Sequence, residues 1–167
     1  MPLSTNDWID YLNIHSLSDD KQKIIKFIFL WMKYNEWYSN YGLGDTEGSQ
    51  KLSDINEARC VYEEIKNEFL HGGRIISIGF NDIPIESRPN KIRKGLYRDN
   101  GNLLCTYNSE VDCFCKYLKV IYKIRCNFFH GDKLPSETNI LLIKWAYESL
   151  NMLLSKLKEH GIIEINL

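Results

Sequence analysis

The sequence lacks any long uninterrupted hydrophobic run. A membrane-spanning helix needs about 20 predominantly apolar residues, and the most apolar stretch here is broken by Lys26 and Lys33. Residues 1–7 also carry neither a cationic start nor an apolar segment of the kind that begins a secretory signal. We therefore expect a cytoplasmic chain without a membrane partner.

The sequence also lacks an excess of charge of one sign. It contains 21 Lys and Arg and 22 Asp and Glu, so the net charge is -1. Nucleic-acid binders attract phosphates through clustered Lys and Arg. Any basic surface of this protein must therefore be local.

Cysteines are few and odd in number, which argues against a disulfide framework. Zinc needs four ligands at closing distance, and these cysteines could supply them only in an irregular arrangement. We expect reduced, buried thiols and no metal or cofactor at the five cysteines Cys60, Cys105, Cys113, Cys115 and Cys126.

A chain of 167 residues that is 44% hydrophobic can bury one sizeable core. We therefore predict a single domain over residues 1–167. Helical periodicity predicts four main helices, over residues 19–41, 55–71, 109–129 and 137–159. Between the second and third, residues 74–107 form short apolar runs separated by Pro and Gly, which predicts an irregular or β-hairpin insertion. The fold class is all-α, an antiparallel helical bundle.

Local signals mark the ends of these helices. Ser18 is a predicted N-cap of the first helix, and Pro135-Ser136 begins the fourth. Asp54 and Glu57 have the spacing of a capping box at the second helix. Glycines follow the last turns, as C-capping requires.

Arg125 is the most informative residue of the third helix. At about 100° per residue it shares one stripe with apolar residues such as Ile121 and Phe128. Burying an unpaired arginine costs several kcal/mol. The position therefore requires a carboxylate, a subunit interface or a bound anion such as phosphate. A salt bridge within the chain, or a side chain that reaches water, is the alternative.

His130 is a candidate general acid or base, because histidine titrates near neutrality. His71 and His160 also stand directly before a glycine, so helix termination is the alternative role. On a regular helix His130 lies about 140° from Arg125. The two converge only if the helix loosens near Phe129 or a second copy crosses it, which points to a homodimer.

The segment Arg125-Cys126-Asn127-Phe128-Phe129-His130, followed by Gly131, resembles the Arg-x4-His catalytic motif of HEPN domains. The aromatic first helix, residues 29–38, is similar to the opening helix of that superfamily. The resemblance covers most of the chain except residues 74–107. It departs from the family at Cys126, where Asn, Asp or His is common, and at Asp132, where one toxin subfamily has Tyr.

The resemblance implies a HEPN-like, homodimeric, metal-independent endoribonuclease with Arg125 and His130 as catalytic residues and Asn127 as a supporting group. Such proteins occur in toxin–antitoxin pairs, antiphage abortive infection and CRISPR-associated effectors, so an antitoxin or defence-system partner is implied as well. The expected reaction is attack of the RNA 2′-hydroxyl on the adjacent phosphorus. DNA lacks this nucleophile.

Further polar residues are candidates for the substrate cleft. Asn35 lies on an apolar stripe and could line the cleft or form a core hydrogen bond to backbone. An acid-free basic run in the insertion could guide RNA or could be a solvated loop. The predicted RNA-binding residues are Arg88, Lys91, Arg93, Lys94, Arg98, Lys123 and Lys133. The alternatives to the enzyme are a non-catalytic HEPN-like module that binds RNA or protein, and a helical interaction protein with a salt-bridged arginine.

Overall fold

The chain is mainly helical, as predicted, and its main helices form a bundle. The computed structural model describes residues 11–12, 18–84, 87, 98–99, 102–103, 111–130 and 135–167. The elements are α1 (Asp19–Ser39), α2 (Asp45–Gly48), a 3₁₀ turn (Lys51–Asp54), α3 (Asn56–His71), a second 3₁₀ turn (Phe80–Asp82), β1 (Arg98–Asp99), β2 (Asn102–Leu103), α4 (Phe114–Phe129) and α5 (Glu137–Glu159). The two short strands pair antiparallel within the predicted insertion.

The predicted caps of α1 and α5 are confirmed. Ser18 Oγ accepts a hydrogen bond from Lys21 N, and Ser136 Oγ accepts one from Asn139 N, each at 3.3 Å. The predicted capping box of α3 is wrong. Ile55 is its N-cap and makes no side-chain bond, because the chain enters α3 from the 3₁₀ turn, where Asp54 pairs with Lys51 at 3.7 Å.

The expectation that the thiols are buried is wrong for Cys60 and Cys113, which are exposed. Cys60 lies on the outer face of α3, whereas its neighbour Val61 faces the core. Cys113 is the N-cap of α4, where the backbone is still extended at φ -103°. This cap also explains why α4 starts later than predicted.

Helix α5 is the centre of the bundle and packs against α1, α3 and α4. Its buried residues cover most of the helix circumference and leave one partly exposed stripe, which includes Lys144 and Asn151, as expected of a core helix. Trp145 Nε1 donates to the carbonyl of Phe69 on α3 at 2.8 Å, and the hydroxyl of Tyr117 on α4 donates to Ser149 Oγ at 2.9 Å. In the described part of the chain, no helix combines the length and hydrophobicity that crossing a bilayer requires.

The packing of α4 against α1 positions the candidate site. Phe27 packs on Phe128, and Trp31 packs on Tyr122, with ring centroids 6.3 and 6.4 Å apart. The residue numbers rise on one helix as they fall on the other, so α1 and α4 are antiparallel. By contrast, α1 and α5 run in the same direction, because Asp20 pairs with Lys144 and Lys23 with Glu148. The C-terminal half of α4, with the Arg-x4-His segment, therefore lies along the middle of α1.

Candidate functional site

Arg125 contacts one aromatic ring of α1, one ring of its own helix α4 and one carboxylate of α2. Its guanidinium carbon lies 5.7 Å from the ring centroid of Trp31 and 4.9 Å from that of Phe129. Nη2 is 3.6 Å from Asp45 Oδ2, and the arginine side chain is 19% exposed. Nε is buried and has no hydrogen-bond partner among the described residues. The arginine thus lies at the edge of the buried face of α4 rather than at its centre.

Asp45 joins Arg125 to two polar residues of α1. Its Oδ1 accepts hydrogen bonds from Tyr38 Oη at 2.8 Å and from Asn35 Nδ2 at 2.9 Å. Burial raises the pKa of Tyr38 well above its ordinary value, and the net rise persists although the Asn35 hydrogen bond lowers it. The tyrosine therefore stays protonated and donates to the carboxylate.

Asn35 is half-buried and uses side-chain partners, not the backbone partner that the sequence favoured. The structure thereby brings Asn35 and Arg125 together around Asp45. Asp45 itself was missed, because it starts a four-residue helix that has no periodic pattern. The only available signal was the need of Arg125 for some anion.

His130 ends α4 and lines a separate depression, which we call the His130 groove. Its volume is about 450 Å³, and the imidazole is exposed. Lys119 and Lys123 project into it from preceding turns of α4, because residues four apart share a helix face. The lining residues are Thr46, Gln50, Lys119, Tyr122, Lys123, Cys126 and His130.

Arg125 and His130 face different sides of α4 within one chain. The His130 N–H donates to the Cys126 carbonyl at 2.9 Å, so the helix remains regular to its end and does not loosen. Two links connect the sites. Cys126 Sγ is 3.9 Å from Arg125 Nη1 and also lines the His130 groove. Thr46, which follows Asp45, lies 3.2 Å from the Tyr122 hydroxyl.

Tyr122 contributes a neutral hydroxyl to the groove. The hydrogen bond with Thr46 lowers its pKa, but burial and the neighbouring Cys126 outweigh that effect, so the net shift is upward. The groove therefore offers two lysines, an imidazole and uncharged polar groups, and no carboxylate is among the lining residues that the structure describes. No cluster of three or more His, Cys, Asp or Glu that could hold a metal occurs among the described residues.

The remaining predicted site residues have different outcomes. Lys123 lines the groove together with His130. Asn127 is buried on the same face of α4 as Ile124 and Phe128, because the core-facing surface of α4 is wider than a single stripe. Of Arg98 only the backbone in β1 is described. Five predicted RNA-binding residues lie outside the described residues: Arg88, Lys91, Arg93, Lys94 and Lys133.

Comparisons of the chain with protein families, with curated proteins and with solved structures give no match. The HEPN resemblance therefore depends on the residues of this chain alone.

Proposed function

We propose that the protein is a metal-independent endoribonuclease that acts through the His130 groove. The observation that carries this proposal is the position of His130 beside Lys119 and Lys123 in a groove where the lining residues that the structure describes include no carboxylate. Such a surface attracts phosphate although the whole chain is close to neutral. It also presents an imidazole, a side chain that can accept or donate a proton, beside the expected position of a phosphodiester.

The reaction is attack of the ribose 2′-hydroxyl on the adjacent phosphorus. A bond forms between O2′ and phosphorus, and the bond from phosphorus to O5′ breaks. His130 accepts the proton of the 2′-hydroxyl and returns it to the departing O5′. Lys119, Lys123 and Arg125 counter the charge on the phosphoryl oxygens. The products carry a 2′,3′-cyclic phosphate and a 5′-hydroxyl.

A homodimer accounts for the separation of Arg125 and His130 on α4. A twofold contact uses the same surface of both copies. If the C-terminal ends of two α4 helices cross, the Arg125 of one copy can lie beside the His130 of the other. The proposed site is therefore composite, with the arginine and the histidine from different chains.

Substitution of either residue tests the enzyme. In buffer with EDTA, Arg125→Ala and His130→Ala are each expected to slow RNA cleavage at least about 100-fold while the far-UV circular dichroism spectrum is unchanged. His160→Ala is the matched control, because His160 is also a helix C-cap before a glycine. DNA of the same sequence should not be cut. Cleavage by His130→Ala at the wild-type rate, or no cleavage by the wild type, would refute the proposal.

A toxin or antiphage role in the cytoplasm extends the same proposal. Expression of the wild-type chain is then expected to arrest cell growth, whereas expression of His130→Ala is not. An antitoxin or defence-system partner would have to restrain the wild type in its own cell.

The second candidate is a non-catalytic module that binds RNA or a protein. The observation that favours it is the pairing of Arg125 with Asp45 of its own chain, as in a structural arginine. In that case neither the wild type nor any variant should cleave RNA, and Lys123→Ala should weaken RNA binding. Arg125→Ala should mainly lower the free energy of unfolding.

A further inference from the structure

Residues 45–50 run along α4 beside both parts of the proposed site, and we call this segment the α2 strap. At its start, Asp45 faces Arg125. One residue later, Thr46 bonds with Tyr122, and Thr46 and Gln50 line the His130 groove. A single short segment therefore touches both the candidate arginine and the groove of the candidate histidine.

We infer that Asp45 acts as an intramolecular latch. Its carboxylate is the counter-anion of Arg125, and a phosphate must displace this carboxylate before the phosphate can bind to Arg125. This inference concerns regulation of the site described above and rests on the proposed function for its biological role. The binding step itself can be measured without RNA cleavage.

The geometry of the carboxylate supports a latch. Its Oδ1 is fixed by two donors of α1, Tyr38 and Asn35, whereas its Oδ2 is 3.6 Å from Nη2, beyond a direct hydrogen bond. Asp45 is thus anchored by α1 and attracts the arginine by charge. The guanidinium keeps donors for a closer partner, and a phosphate accepts such donors in pairs.

Asp45 is accessible to a competing anion, whereas the side chain of Arg125 is only 19% exposed. The Asp45 side chain is 44% exposed, and residues 44–47 all lie at the surface. Displacing the start of the strap therefore uncovers little of the core. A phosphate that reached Arg125 with Asp45 in place would meet a like charge a few ångströms away, which opposes binding.

A positioning role for Asp45 makes the opposite prediction. If the carboxylate holds Arg125 in a productive orientation, removal of its charge should weaken anion binding. The sign of the effect therefore separates the two roles.

Asp45→Asn removes the charge and keeps an oxygen that can accept from Tyr38 and Asn35. The probe is inorganic pyrophosphate, titrated into the full chain while the Arg125 guanidinium resonance is followed by NMR and assigned with Arg125→Lys. We expect the dissociation constant to fall about threefold at low salt, the scale of an exposed ion pair, and the difference to shrink at high salt. Asp54→Asn, which removes the partner of Lys51, is the matched control and should leave binding unchanged.

A second variant protects the test against a local rearrangement. Tyr38→Phe keeps the buried ring, removes one anchor of Asp45 and should change binding in the same direction by a smaller factor. Unchanged or weaker pyrophosphate binding by Asp45→Asn would overturn the latch.

The outcomes for the latch and for the ribonuclease are distinguishable. If the wild type cuts RNA and Asp45→Asn binds pyrophosphate no better, the latch fails and the enzyme stands. If no protein cuts RNA but Asp45→Asn binds pyrophosphate more tightly at Arg125, the enzyme fails and the latch stands.

Discussion

At the scale of single residues, the best-defined polar centre is Glu148 in the middle of α5. Its side chain is 6% exposed and lies 2.8 Å from Lys23 Nζ. Ser77 adds hydrogen bonds from its backbone N at 2.5 Å and from its hydroxyl at 2.6 Å. Burial raises the pKa of Glu148, but the hydrogen bonds from Lys23 and Ser77 outweigh it and the net shift is downward. The charged pair joins α1, α5 and the start of the insertion.

Lys23→Met should lower the free energy of unfolding by about 3 kcal/mol, because it leaves a buried carboxylate without its counter-charge. Lys66→Met is the matched control. Lys66 pairs with Glu63 at 2.7 Å, but that glutamate is 58% exposed, so the loss should stay below about 1 kcal/mol. Urea unfolding measures both values. Equal losses would show that the buried pair contributes no more than the surface pair.

Acid should weaken the fold through Glu148. Its folded pKa lies below the unfolded value of about 4.3, so its contribution is fully present above the unfolded pKa. That contribution is lost as the pH falls through the folded pKa. The melting temperature of the wild type should therefore drop below about pH 4.3, and Glu148→Gln should drop less steeply. If the melting temperatures of the wild type and of Glu148→Gln fall equally steeply in acid, this account is contradicted.

Residue patterns predicted the need of Arg125 for an anion but not the identity of that anion. The amphipathic pattern of α4 is local and can be read from the sequence. Asp45 comes from a distant connection, and only the antiparallel packing of α1 and α4 brings it to the arginine. The same limit explains Asn127, whose burial depends on a neighbouring surface that periodicity cannot reveal.

At the scale of elements, helix ends with a side-chain cap or a following glycine were predictable, whereas the start of α4 was not. Both ends of α5 agree with the prediction, since Ser136 caps one and Gly161 follows the other. The starts of α3 and α4 have Ile55 and Cys113 as N-caps, which make no side-chain bond. Helix α3 still begins within one residue of its predicted start, whereas α4 begins later than predicted.

The start of the insertion is expected to depend on Gly79. A Cβ atom at this position would meet backbone atoms of Leu70, His71 and Gly72, which cannot move without disturbing the end of α3. Gly79→Ala should therefore lower the free energy of unfolding by about 2 kcal/mol. Gly73→Ala is the matched control, because its Cβ would meet only the flexible side chain of Glu68, at 3.2 Å. Equal melting temperatures for Gly79→Ala and Gly73→Ala would contradict the close approach of residue 79 to the backbone at the end of α3.

At the scale of the whole molecule, a chain of net charge -1 carries a local basic groove. Composition predicted that a basic surface would have to be local, and Lys123, one of the predicted RNA-binding residues, lines the groove with His130. The number of copies in the active protein is a property of surfaces rather than of local patterns, so the homodimer stays a prediction. The central claim, that Arg125 and His130 act together, depends on this homodimer.

Subunit complementation tests that claim most directly. Arg125→Ala and His130→Ala chains with different affinity tags are co-expressed, and the mixed dimer is isolated through both tags. If each site takes its arginine from one copy and its histidine from the other, the mixed dimer contains one intact site of two. Its RNA cleavage rate in EDTA should then be about half that of the wild type, while each singly substituted homodimer is inactive. A mixed dimer as inactive as the two homodimers would contradict the composite site.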